Sequence, residues 1–261
     1  MITASMLYNL VECPHRPSMD LFADPLKRDK LSPFVQLLWE KGTAYEQEVV
    51  AGLDIPFLDL TPYSMEEKEI KTHEAIENKE PLIYRGRISA GDLLGEPDLL
   101  RLEEDGYVAG DIKSGSAEEG GEDDPRPKKH YAVQLALYTD ILERKQLSTR
   151  REPFVWDIRG LEVTYALDEL TGKKDPTTLW KIYQEKLDEA RRIVNQAEKS
   201  IPAYSSKCKL CHWKTECLKT LEKSDDLTLL PELGRTKRDV LLNEIKTVED
   251  LANILIEPFI D

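Results

Sequence analysis

The sequence has no apolar run near the roughly 20 residues that a membrane-crossing helix needs, so it offers no transmembrane segment and no membrane partner is expected. It also lacks a basic region followed by an apolar stretch at its start. Met1-Ile2-Thr3-Ala4-Ser5-Met6 is not a secretion signal, and the expected location is the cytoplasm. Positive charge is short. The 36 Lys and Arg stand against 50 Asp and Glu, a formal net charge of −14, the opposite of the basic surface with which a non-specific nucleic-acid binder displaces counterions. Net charge describes the average surface and not one groove, however. Basic residues cluster at Arg126, Lys128 and Lys129; at Arg144, Lys145, Arg150 and Arg151; at Lys207, Lys209 and Lys214; and at Arg235, Lys237 and Arg238. Any one cluster also reads as an ordinary solvated face. Internal repeats are absent, and the only biased tract is the acidic, Gly- and Pro-containing stretch 115–129, which reads as a mobile loop.

What is present suffices for a full core: 261 residues, 40% hydrophobic and 33% charged, the profile of a well-solvated globular chain. Residues 1–25 hold a short apolar segment ending at Cys13-Pro14. Phe34, Val35, Leu38, Trp39, Tyr45 and Val49 recur at helical spacing and predict a helix over 34–52. A mostly polar helix is expected over 65–79, short strands broken by Gly86, Gly91, Gly95 and Gly106 over 82–114, and an apolar-periodic helix over 131–147. Strands are expected at 154–157 and 161–167. Asp175-Pro176 predicts the start of a long helix running to Lys199, with Pro at an early position, and Pro202 closes it before the cysteine segment. Two or three short helices are expected over 229–256.

The most informative stretch is Gly95-Glu96-Pro97-Asp98, followed by a Glu103-Glu104-Asp105-Gly106 turn and then Gly110-Asp111-Ile112-Lys113. A two-residue loop centred on Asp105-Gly106, the type I′ preference, puts Asp98 opposite Lys113; one centred on Glu104-Asp105 puts it opposite Asp111. The registers differ by two residues, so in both Asp98, Asp111 and Lys113 share one face of the sheet. Carboxylates are hard oxygen ligands for Mg²⁺ or Mn²⁺. A metal so held lowers the pKa of bound water and neutralises phosphoryl charge, and the ammonium can orient that water or offset developing negative charge. An arbitrary D…DxK is more often a surface hairpin with ordinary salt bridges.

Pro97-Asp98 followed by Asp111-Ile112-Lys113 resembles the signature of the PD-(D/E)xK nucleases. Gln134 and Tyr138, one turn apart on a helix face, resemble the Gln-x-x-x-Tyr motif of the RecB-like subset, which lies beside the active site and contacts DNA. That subset commonly carries a histidine ligand upstream; here Gly42-Thr43-Ala44-Tyr45-Glu46 puts Glu46 in its place, a departure, although glutamate is a harder ligand for Mg²⁺. The resemblance implies metal ligation by Glu46, Asp98, Asp111 and the main-chain carbonyl of Ile112, with Lys113 acting on water or transition state and Gln134 and Tyr138 positioning the strand.

Cys13 stands far from Cys208, Cys211 and Cys217, which are spaced C-x₂-C-x₅-C. Disulfides do not suit a chain without a secretion signal, and a thioredoxin-like pair would need a strand before Cys208 where a helix end is expected. Spacing leaves structural zinc, with His212 as a spare ligand, and an iron–sulfur cluster both open. One cysteine before the nuclease core and three after it resembles the [4Fe–4S] staple of RecB-like nucleases, including the CRISPR-associated exonuclease family and the AddB nuclease domain. The run from Ile2 to Cys13-Pro14-His15 is similar to uncharacterised RecB-like nucleases. Leu230-Pro231-Glu232-Leu233-Gly234 and the residues up to Leu251 resemble a helix-hairpin-helix in which Glu232 replaces the first glycine, which weakens phosphate binding.

The expectation is therefore an α/β, restriction-endonuclease-like mixed sheet flanked by helices. Residues 1–224 would form a RecB-like nuclease domain with a cysteine staple, and 225–261 a degenerate helical segment. The implied activity is Mg²⁺- or Mn²⁺-dependent hydrolysis of DNA, single-stranded or with free ends and exonucleolytic rather than endonucleolytic, in repair, recombination or foreign-DNA processing. A further C-terminal domain or a helicase partner would accompany it. The competing readings are a catalytically inactive DNA-binding or assembly subunit of the same fold, favoured by Glu46, and a metal-stapled interaction module.

Overall fold

The structure, a computed structural model, describes residues 1–254 other than 105, 122–123, 173–174 and 198–199. Strand β1 (Ile2–Thr3) passes directly into helix α1 (Ala4–Glu12), because the Thr3 hydroxyl accepts the Met6 amide and caps the first turn. The short apolar segment of the sequence is thus a helix, followed by α2 (Arg16–Phe22). Helix α3 (Pro33–Ala51) starts where Ser32 accepts the Val35 amide and Pro33, which has no N–H, takes the first helical position. After β2 (Leu58–Asp59), Ser64 and Glu67 form a capping box that opens α4 (Met65–Glu77). Strands β3 (Leu82–Tyr84), β4 (Ile88–Ala90), β5 (Leu93–Gly95), β6 (Leu99–Glu103) and β7 (Gly106–Ile112) come next.

The stretch read as a mobile loop contains an antiparallel ribbon, β8 (Glu118–Glu119) with β9 (Arg126–Pro127). Helix α5 (Lys129–Arg144) leads to β10 (Phe154–Trp156) and β11 (Glu162–Thr164). A second ribbon, β12 (Leu170–Thr171) with β13 (Thr177–Thr178), precedes α6 (Leu179–Val194). This corrects the predicted helix start at Pro176: Thr177 and Thr178 are engaged in the ribbon, and the Thr178 hydroxyl accepts the Lys181 amide as the cap. Helices α7 (Lys214–Lys223), α8 (Arg235–Leu241) and α9 (Val248–Ala252) follow. The predicted ends at Lys199 and Ile256 and the turn residue Asp105 lie outside the described residues.

Six strands form a mixed sheet in the order β11-β10-β7-β6-β3-β2, with β7 parallel to β10 and antiparallel to β6; a smaller sheet has the order β1-β5-β4. Helix α5 is buried almost all round, through Ala132, Val133, Leu135, Leu137, Ile141 and Leu142, as expected of a helix apolar on every side. Leu7 and Leu10 of α1 and Tyr183 and Leu187 of α6 join it in one cluster, each side chain contributing about 1.5–3 kcal/mol by leaving water. On the opposite side of the sheet Leu82, Leu99, Val108 and Phe154 pack against Tyr45, Val49 and Val50 from the second half of α3. A sheet covered on both faces can hold parallel pairing, here β7 with β10 inside it and β2 with β3 at its edge. Arg238 of α8 is buried and donates to Pro202 O (2.6 Å) and Asp226 (3.1 Å), which pins the C-terminal segment to the core. Among the described residues no helix is long and apolar enough to cross a membrane.

Candidate active site

Strands β6 and β7 pair Leu99 with Gly110 and Glu103 with Gly106. Of the two registers open to the sequence, this is the one that places Asp98 level with Asp111. On the other side β10 sets Val155 beside Asp111, and the Lys113 amide donates to Trp156 O at 2.9 Å. Two glycines permit this packing. A Cβ on Gly110 would lie 2.3 Å from the Phe154 ring, and one on Gly95 would lie 2.6 Å from the Tyr138 ring.

Asp98 and Asp111 are interlocked. Asp98 Oδ2 accepts the Ile112 amide at 2.9 Å, and Asp111 Oδ1 accepts the Asp98 amide at 3.4 Å. Both are buried, 8% and 1% exposed. Asp111 Oδ2 forms an ion pair with Lys113 Nζ at 2.9 Å. Burial, reinforced by the Asp111 charge, raises the Asp98 carboxyl above the ordinary carboxylate range. Burial opposes the Lys113 ammonium, yet Asp111 and Asp98 outweigh it and hold Lys113 above its usual value. Lys113 Nζ and Lys128 Nζ lie 5.5 and 5.4 Å from the Tyr131 ring centroid, within cation–π range.

Glu46, the departure from the RecB-like pattern, is buried on α3. It accepts the Tyr84 hydroxyl at 2.8 Å and pairs with Arg85 Nη2. Arg85 Nη1 is also 3.4 Å from Asp98 Oδ1, so the guanidinium bridges the two carboxylates. Arg85 adopts φ 58°, unusual for a residue with a Cβ. A cavity of about 380 Å³ opens over the site, lined by Trp39, Glu46, Asp98, Ile112, Lys113 and Tyr131 among others. Among the described residues no three His, Cys, Asp or Glu side chains converge as a ready-made metal set. Glu46 and Asp98 converge on a guanidinium instead. The donors nevertheless suit a hard divalent ion: they are carboxylate oxygens, and Asp111 Oδ2 is held by the Lys113 ammonium alone among the described residues.

Gln134 Nε2 donates to the Tyr138 hydroxyl at 3.0 Å, and that hydroxyl donates to Glu96 O at 3.3 Å. Tyr138 is only 2% exposed and Gln134 is half-buried. Tyr138 thus sits under the Glu96-Pro97 approach to Asp98, tied there through Glu96 O.

Cys13, Cys208, Cys211 and Cys217 are free, half-buried, and all line one second cavity of about 560 Å³. Burial pushes the Cys217 thiol up to about 12, with Cys211, Cys13 and Cys208 adding to the rise. Thiols are the donor chemistry of a soft metal or an iron–sulfur cluster, but among the described residues no three of these four converge as a metal set. His212 Nε2 is bonded to Asp20 at 2.8 Å, which engages the spare zinc ligand elsewhere. Next to the first cysteine, Glu12 pairs with His130 (3.0 Å) and with Lys207, joining α1, α5 and the cysteine segment.

Arg85, Tyr84, Tyr131 and Trp39 were not legible as site residues in the sequence. Arg85 comes level with Asp98 only through pairing of β3 with β6, in which Tyr84 faces Leu99, and no local spacing announces that pairing.

A six-stranded mixed sheet between helices, with an Asp–Asp–Lys constellation on its central hairpin, defines a restriction-endonuclease-like α/β protein. Residues 19–218 match the PD-(D/E)XK nuclease superfamily, and the chain belongs to it. No curated protein matches the chain.

Proposed function

We propose that this PD-(D/E)XK protein is a RecB-like, Mg²⁺- or Mn²⁺-dependent deoxyribonuclease acting on single strands or free DNA ends, exonucleolytically, in repair, recombination or foreign-DNA processing. The observation that carries the reading is the buried Asp98–Asp111 pair with Lys113 Nζ 2.9 Å from Asp111 Oδ2. Asp98, Asp111, Glu46 and the Ile112 carbonyl are the groups that would hold the metal. A bound divalent ion supplies an acidified water and charge neutralisation at phosphorus. Asp98, which lines the cavity, fixes the strand after Asp111 through the Ile112 amide and so sets the two carboxylates side by side. Lys113, pressed between Asp111 and the Tyr131 ring, would hold the attacking water or the developing phosphoryl charge. Gln134 and Tyr138, hydrogen-bonded to each other, would position the strand.

In the same proposal residues 1–224 form the nuclease domain, residues 225–261 are an appended helical segment, and the four cysteines hold a [4Fe–4S] cluster as a staple. A helicase or further domain would deliver the substrate, in the cytoplasm. A second reading, a catalytically idle DNA-binding subunit, draws support from the Arg85 bridge between Glu46 and Asp98. The deciding experiment incubates anaerobically purified protein with end-labelled single-stranded DNA, with and without Mn²⁺, beside Asp111→Ala and Lys113→Ala. Metal-dependent cleavage that both variants lose by at least about 100-fold supports the nuclease. Binding without cleavage under every metal supports the idle subunit.

A further inference from the structure

Helix α3 divides into two halves. Its second half packs on the sheet through Tyr45, Val49 and Val50. Its first half leaves Phe34, Leu37, Leu38 and Trp39 exposed, Trp39 to 64%. Isolated exposed apolar residues need no explanation, but a group of four on two turns of helix marks an interaction surface. Its position says with what. Leu38 and Trp39 line both the cavity over Asp98 and Lys113 and the cavity over the four cysteines. The two cavities therefore make one trough, with the Trp39 indole at the divide.

Charge along the trough runs against the −14 of the chain. The cysteine-side rim carries Arg16, Lys30, Lys207, Lys209 and Lys214 against Glu12 and Asp29. Lys207 is paired with Glu12, whereas Lys30, Lys209 and Lys214 form no ion pair among the described residues. The other arginine clusters are differently employed: Arg144, Arg150 and Arg151 are paired with Asp140, Glu103 and Glu143, and Arg238 is buried. A projecting indole, unpaired lysines beyond it and a hydrolytic site before it match the combination that holds single strands: a base stacked on an aromatic face and phosphates tracked by cations. A duplex offers such a face only at its end, because its bases are already stacked.

We infer that Trp39 is a base-stacking platform for single-stranded DNA, which runs from the Lys30, Lys209 and Lys214 rim, across the indole, to the carboxylate site. The inference rests on the nuclease reading for the direction in which the strand leads. Its own content is a binding site, and it is read by binding.

The test uses the full, anaerobically purified chain with EDTA present, so that no cleavage intrudes, and fluorescence anisotropy of a labelled oligothymidylate. Trp39→Ala should weaken binding by about fivefold to 150-fold, the range of base–aromatic stacking, with Trp39→Phe recovering most of it and blunt duplex affinity unmoved. Lys209→Gln with Lys214→Gln should flatten the plot of log affinity against log salt by about 1.4, at about 0.7 for each single-strand phosphate that a lysine neutralises. Because Trp39 is mostly in water, the melting temperature should stay put. Three results would overturn the inference: wild-type affinity in Trp39→Ala, an equal loss on blunt duplex, or a Trp39→Ala change in oligomeric state without a change in affinity, which would make this face a contact between copies. An RNA oligomer bound as tightly as DNA, with the same Trp39 dependence, would overturn the choice of DNA. Wild type that binds through Trp39 but never cleaves removes the nuclease reading alone, whereas cleavage and binding both indifferent to Trp39 remove this inference alone.

Discussion

Arg85 faces Asp98 at the inner end of the carboxylate site, Nη1 to Oδ1 at 3.4 Å. Its other terminal nitrogen holds Glu46, so one guanidinium neutralises a carboxylate from helix α3 and another from the hairpin. Carboxylates gathered in a half-dry pocket repel one another unless a cation lies between them. The fold supplies that cation from its own chain, at the position where sequence resemblance places a metal.

Arg85→Ala should therefore lower stability in EDTA, by about 1–2 kcal/mol once the partial exposure of the guanidinium is discounted. For a chain of this size that is a fall of about 2–8 °C in melting temperature. Mn²⁺ should then raise the variant more than it raises the wild type, because the ion meets two unneutralised carboxylates. Thermal melts with and without Mn²⁺ check both parts, and an unchanged melt in EDTA would show that Arg85 does not stabilise the site.

The division between what the sequence disclosed and what it concealed follows from range. Helices α3, α4 and α5, and the shared face of Asp98, Asp111 and Lys113, follow from periodicity and a short turn, which are local and legible. The register that sets Asp98 level with Asp111, by contrast, is the one the turn preference disfavours, and it is fixed by the pairing of β6 with β7. The start of α6 departs from the predicted position because Thr177 and Thr178 are claimed by a strand pair with Leu170 and Thr171, and strand pairing overrides the local preference of Pro176. Arg85 and Tyr131 escape a sequence reading because their roles exist only after β3 pairs with β6 and α5 lies over the sheet. Trp39 falls in step with the apolar periodicity of α3, whereas the sheet ends before its half of the helix.

Gly110→Ala should destabilise the protein by about 1–3 kcal/mol, the usual cost of forcing a methyl into a packed core, since the added Cβ would lie 2.3 Å from Phe154 Cζ. Shrinking the obstacle should relieve it: Gly110→Ala combined with Phe154→Leu is expected to be more stable than the sum of the two single changes. Urea unfolding of the four proteins gives the coupling. Strict additivity would mean that the clash is relieved by backbone movement and that Gly110 is not fixed by the ring.

Arg101 reaches Glu162 across the width of the sheet, Nη1 to Oε2 at 2.6 Å, and Trp156 Nε1 donates to the same carboxylate at 2.8 Å. The hydrogen bond from Arg101 holds the Glu162 carboxyl below its usual value. A depressed carboxylate stabilises the folded state fully above the unfolded value and loses that contribution as pH falls through the lower folded value. The wild type should accordingly lose, below about pH 4.5, a contribution of up to about 1 kcal/mol that Glu162→Gln never has. The gap between their urea stabilities should close on acidification; a gap constant from pH 6 to pH 3 would remove the ion pair as its cause.

Cys13 and Cys208 lie on opposite sides of the chain's core sequence, and a cluster joining them would close a loop of about 200 residues and remove on the order of 5 kcal/mol of entropy from the unfolded chain. Nearby, Glu12 already pairs with Lys207 and His130, so the arms meet even without a cluster, and the staple's effect should appear as stability more than as shape. Anaerobically purified protein is expected to be brown, and Cys13→Ala to lose colour and melting temperature together while circular dichroism at 20 °C stays close to wild type. A structural zinc site would give the same thermal loss from a protein that was colourless to begin with, so the absorption spectrum separates the two metals. Retained colour with an unchanged melt in Cys13→Ala would leave the N-terminal cysteine outside the ligand set and end the staple reading.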